Sequence, residues 1–85
     1  MILPYGRQIA ERELSRLIRQ SDKPDELTGI PTFFEEYIFQ RDSTRGFPEA
    51  LDAYLKAHYT GSDRKIVEDT LNDLAMRVNP SRSYA

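Results

Sequence analysis

The chain has 85 residues, no cysteine, and a net charge of −2 from 12 basic and 14 acidic side chains. That length suits one domain and not two, and the missing thiols exclude disulfides and thiolate metal clusters as staples. The near balance of charge argues against indiscriminate nucleic-acid binding, and no apolar run approaches the roughly 20 residues that span a membrane.

The charge is unevenly spread along the chain. Residues 1–20 carry four Arg against two Glu, residues 21–60 four basic against eight acidic, and residues 61–85 four against four. Any cationic surface is therefore expected near the N-terminus. The opening "MILPYGRQ" lacks both a basic n-region and a long apolar stretch, so cytoplasmic residence is the expectation.

The first helix is expected from about Tyr5 to Gln20, where Ile9, Ala10, Leu14, Leu17 and Ile18 recur at helical spacing. That face leaves Gln8, Arg12, Arg16 and Arg19 together on the opposite side, with Tyr5 joining them if the helix starts early. A stripe of guanidiniums has two readings. It is a solvated face whose arginines reach acidic groups of the middle segment, or it docks phosphates or an acidic protein surface through bidentate hydrogen bonds.

"SDKPDELTG" reads as a connection punctuated by Pro24 and Gly29, with room for one short turn at Asp25-Glu26-Leu27. A second helix is expected from about Pro31 to Arg41, with Thr32 and Glu35 as a capping pair. It carries "FFEEYIF", the aromatic-rich stretch of the chain. At about 100° per residue, Phe33, Phe34, Tyr37 and Ile38 share one sector and are expected in the core. Phe39 falls at about 240° from Phe33, beside Glu35. It is either covered by a neighbouring segment or an exposed anchor for a partner, since large aromatics often act as hot spots.

The third helix is expected from about Phe47 to Tyr59, closed by Thr60-Gly61. It carries His58, the one histidine, on the side of Leu51, Tyr54 and Leu55, where a partly buried, hydrogen-bonded role is expected. The fourth begins with Ser62 as N-cap and stops at Asn79-Pro80. Ile66, Val67, Thr70, Leu71, Leu74, Ala75 and Val78 fill its core face, and Met76 points away. Arg64/Glu68, Lys65/Asp69 and Asp73/Arg77 stand four apart and are expected to pair.

Reaction chemistry is hard to place on these residues. A lone His without Cys makes a poor zinc site, and the glycines form no phosphate loop. Glu35-Glu36 and Asp25-Glu26 are adjacent pairs that diverge on a helix, which suits general acid–base work poorly. The tight "YTGS" joint between the third and fourth helices resembles a helix-turn-helix, but the fourth would present Asp63, Glu68, Asp69 and Asp73 to phosphates.

The reading is an all-α domain over residues 1–79, a compact bundle or orthogonal array of about four short helices, with 80–85 as a frayed tail. Its expected function is that of a non-enzymatic protein-binding module, an inhibitor or adaptor of bacterial or phage origin. No cofactor or metal is expected. The partner is another protein, met through Gln8, Arg12, Arg16, Arg19 and Phe39. The runner-up is a nucleic-acid-associated regulator using the same arginines, and a homodimer remains open.

Overall fold

Helix α1 spans Gly6–Gln20 and buries Ala10 and Leu14 at the expected four-residue spacing. It belongs to a computed structural model that describes residues 2–80. A 3-10 turn follows at Pro24–Leu27, where the Pro fixes the first φ and Leu27 is fully buried. Helix α2 covers Ile30–Phe34 and runs on without a break as a π-helical segment, Glu35–Gln40. Helix α3 is Phe47–His58 and helix α4 is Arg64–Val78. Among the described residues no strand is present. The expected tail lies outside the described residues except for Pro80.

Packing follows the burial pattern. Helix α4 is central, with α1 on one side and α3 on the other, and Val67, Leu71 and Val78 fully buried between them. The radius of gyration is 12.2 Å, close to the roughly 12 Å expected of a folded chain this long. Phe34 and Phe47 meet edge to face with ring centroids 5.7 Å apart, which closes α2 against the start of α3. Gly46 at φ 79° turns the chain into α3 in a conformation that a Cβ would strain.

The π segment explains Phe39. Where backbone bonding steps from i+4 to i+5, the residue five positions on sits above its predecessor. Phe39 therefore returns to the face of Phe34, with centroids 5.8 Å apart and 6% of Phe39 exposed. The α-helical wheel placed it outward, and the change of period turns it inward. Asn79, fully buried, donates its Nδ2 to the Ile38 carbonyl at 3.0 Å and so satisfies an acceptor inside the core.

Two connections are clasped by side chains. Asp63 Oδ2 accepts the Asp22 N–H at 3.1 Å, and Asp22 Oδ2 accepts the Ser62 N–H at 3.0 Å. The Tyr59 hydroxyl donates to Asp63 and accepts from the Lys23 N–H at 3.2 Å. Glu26 Oε1 accepts the Thr60 N–H at 2.6 Å. Gly61 lies against the Tyr59 ring, and a Cβ there would overlap it.

Several local expectations change. The N-cap of α4 is Asp63, not Ser62, and its carboxylate serves the clasp rather than the first turn. The helix holding Thr32 starts earlier, at Ile30, without a side-chain cap, and Glu35 reaches Arg7 instead. Ile66 and Thr70 are exposed, because the buried stripe of α4 is narrower than the wheel suggests. Lys65–Asp69 and Asp73–Arg77 pair at 3.3 and 3.9 Å, whereas Arg64 and Glu68 do not.

Truncating Leu71 to Ala is expected to cost about 2–5 kcal/mol by urea unfolding, while Ile66→Ala costs under about 0.5 kcal/mol. Equal losses would place the core on the wrong face of α4.

The Thr60 hydrogen bonds hold the Glu26 carboxyl below its ordinary value of 4.5. Its contribution to stability is complete above that value and is lost as pH falls through the lower folded pKa. Thermal midpoints measured from pH 6 to pH 3 should fall more steeply for the wild type than for Glu26→Gln. Burial, then the bond to Asp63, pushes the Tyr59 phenol up from its ordinary value of 10.0, so it remains a donor throughout that range.

Candidate functional site

Helix α1 turns Gln8, Arg12, Arg16 and Arg19 to solvent, as its periodicity requires once Ala10 and Leu14 are buried. Arg12 and Arg19 make no ion pair among the described residues. Arg16 stands 3.8 Å from Glu13, one turn back on its own helix. Exposed pairs of that kind contribute little and are easily exchanged for another carboxylate.

The acidic middle segment does not neutralise this stripe. The arginine that reaches it is Arg7, whose Nη1 donates to both Glu35 oxygens at 2.6 and 2.7 Å. Its guanidinium also lies 4.7 Å from the centre of the Phe39 ring. On the α1 wheel Arg7 is far from Arg12, so it leaves the stripe untouched. All four arginines of α1 are exposed, and Arg7 differs in holding a carboxylate and a ring.

The structure brings together the four α1 residues and removes Phe39 from them. With 6% of its surface exposed, Phe39 is a core side chain and not an exposed anchor. The cause is the π register of Glu35–Gln40, which an α-helical reading of the sequence does not contain. His58 also differs from expectation. It is exposed and lies over Tyr54, with ring centroids 4.8 Å apart.

Two further residues adjoin the basic face: Tyr5, expected beside the stripe on an early helix start, and Ile66, expected in the core. Tyr5 precedes α1 in a left-handed conformation, φ 67°, and is 73% exposed. A non-glycine residue there carries a strain of about 1–2 kcal/mol. Its signal in the sequence was its place one turn before Gln8. Ile66 at the start of α4 is 65% exposed and lines a groove with Arg16, Leu17 and Thr70. Its apolar character hid it among the expected core residues.

Among the described residues, no group of three or more His, Cys, Asp or Glu side chains is placed to hold a metal ion. No helix of the described residues is long and apolar enough to cross a membrane. What the α1 face offers chemically is fixed positive charge with planar hydrogen-bond donors, beside a small apolar groove.

Phe39→Ala should lower folding stability by about 3–5 kcal/mol, as removal of a core aromatic does. Tyr5→Gly should leave it unchanged or raise it by about 1 kcal/mol by relieving the left-handed strain. Chemical denaturation of both variants checks this, and a neutral Phe39→Ala would contradict the inward ring.

Comparison with protein-family models, with curated proteins and with solved structures finds no match to this chain.

Proposed function

We propose that the chain is a non-enzymatic binding module that docks on an acidic surface of another protein, acting as an inhibitor or adaptor. The observation that carries this reading is the exposed stripe of Arg12, Arg16 and Arg19 on α1, of which Arg12 and Arg19 have no ion-pair partner among the described residues. Gln8 extends the stripe with a neutral donor and acceptor, and Tyr5 adds an exposed aromatic at its head. Guanidiniums suit carboxylates because their planar donors match both oxygens at once.

Three arginines are few for nucleic acid. The remaining exposed surface is acidic on balance, and phosphates would be repelled by Glu36, Glu49 and Asp69. Phosphate contact is therefore the competing outcome of the same test.

The triple variant Arg12→Glu, Arg16→Glu, Arg19→Glu should keep the wild-type circular dichroism and lose one specific complex that the wild-type bait retains from extracts of its host. Wild-type binding to random-sequence DNA should be weak at physiological salt. Tight DNA binding, falling with a log–log salt slope of about −2 to −3, would instead assign the stripe to phosphates.

A further inference from the structure

The seam between α1 and α4 carries both signs of charge, one on each helix. Arg16 lines its groove from α1, and Arg12 stands one turn earlier, about 40° away on the helical wheel. From α4 the groove is lined by Ile66, and Asp73 falls about 20° and Asp69 about 60° from it. Both aspartates are exposed. Each helix also keeps an opposite charge, Glu13 at 3.8 Å from Arg16 and Arg77 at 3.9 Å from Asp73. Lys65 pairs with Asp69 at 3.3 Å, but it lies about 100° from Ile66 and so points away from the seam. Exposed pairs of this kind contribute little and exchange readily. On balance the α1 side of the seam is basic and the α4 side acidic.

A partner of one charge sign matches only half of such a face. A second copy of the chain carries both halves. The symmetry that joins them follows from the heights of the residues along the helices. Leu17 and Ile66 line one groove between antiparallel helices. Counted from that level toward the start of α1 and the end of α4, Asp69 is three residues away, Arg12 five and Asp73 seven. At the rise of an α-helix, Arg12 falls midway between the two carboxylates, roughly 3 Å from the height of each.

A two-fold axis parallel to the helices keeps those heights and exchanges the sides. It sets each α1 against α4 of the other copy, with Arg12 level with Asp69 and Asp73. Leu17 and the exposed Ile66 then meet their own equivalents at the centre, which covers the aliphatic side chain that the free protein leaves in water. An axis running across the helices would instead set α1 on α1 and arginine on arginine. Both helices have 15 residues, so side by side they present a face of about 22 by 20 Å, on the order of 450 Å² per copy. That is less than the roughly 800 Å² per partner of a standard interface, and it suits a weak, reversible dimer.

We infer that the α1–α4 seam is a self-complementary surface that pairs with a second copy of this chain about a two-fold axis parallel to the two helices, α1 against α4 of the other copy and Ile66 at the centre. This goes beyond the docking reading above. The dimer covers Arg12 and Arg16, while Arg19, which lines a groove with Ser15, Ile18 and Pro31 on the other flank of α1, stays open to another protein.

Sedimentation equilibrium of the purified wild type, from micromolar to millimolar protein at about 150 mM salt, should show a monomer–dimer equilibrium that weakens as salt screens the charges. Ile66→Ser should loosen the dimer by about tenfold with an unchanged circular dichroism spectrum. Charge exchange is the decisive arm. The double variants Arg12→Glu with Arg16→Glu, and Asp69→Lys with Asp73→Lys, should each be monomeric, because both helices of the seam then carry one sign. Mixed in equal amounts they should form a one-to-one dimer, since each reversed helix meets its complement. The milder pair Asp69→Asn with Asp73→Asn should weaken self-association without abolishing it. A wild type that stays monomeric at millimolar concentration overturns the dimer and leaves the docking reading standing. Exchanged variants that remain monomeric when mixed, or a dimer indifferent to Ile66→Ser, also overturn it. Conversely, if the wild type dimerises but the triple arginine variant keeps every host complex, the docking reading fails and the dimer stands.

Discussion

The antiparallel apposition of α1 and α4 is the constraint on which the rest of the fold depends. It is pinned at both ends. The Leu3 N–H donates to the Val78 carbonyl at 2.9 Å, and at the far end the Asp63 carboxylate accepts the Asp22 N–H and the Asp22 carboxylate accepts the Ser62 N–H. Each carboxylate satisfies an N–H of the opposite loop, so neither connection leaves those donors unmade. A domain of this size buries a modest share of its surface and has no disulfide to close its loops. Hydrogen bonds that tie one connection to another therefore matter more here than they would in a larger protein. Once α1 is fixed on α4, the arginine stripe and the groove beside it occupy one side of the molecule.

The π segment plays a comparable role on the opposite flank. By bringing Phe39 over Phe34 it adds a large aromatic to the core. The same turn places Glu35 where Arg7 can reach it. Arg7 is thus held by a carboxylate and a ring, which orders its side chain and pairs one positive charge at the surface. Asn79, just after α4, closes the arrangement from the other side through the Ile38 carbonyl. The aromatic cluster of the second helix is in the main a packing device. Phe33 and Tyr37, partly buried, stack 4.6 Å apart at its margin.

These two regions divide the arginines of α1 by task. Arg7 spends its guanidinium on the fold, while Arg12, Arg16 and Arg19 contribute little to it. Their alignment carries a small repulsive cost. A surface that is slightly unfavourable in the free protein becomes favourable when an anion covers it, and that asymmetry is the physical basis for reading the stripe as a docking face. Fixed charge of this kind acts mainly on the rate and selectivity of encounter, and an apolar contact such as that offered by Ile66 is what lengthens the life of a complex.

Helix periodicity, the Pro and Gly punctuation and the absence of alternating apolar runs were enough to determine the all-α class, the limits of α1 and α3 within a residue or so, and the outward direction of Gln8, Arg12, Arg16 and Arg19. Those features depend on local backbone geometry, which repeats every 3.6 residues whatever surrounds it. Tertiary structure alone decided the burial of Phe39, the exposure of Ile66 and the partners of Arg7, Asp22, Asp63 and Asn79. A π turn changes the period that a helical wheel assumes. The width of a buried stripe depends on how closely the neighbouring helices approach, and a hydrogen bond between residues some 40 positions apart (Asp22 with Asp63, Ile38 with Asn79) has no signature in the sequence around either of them.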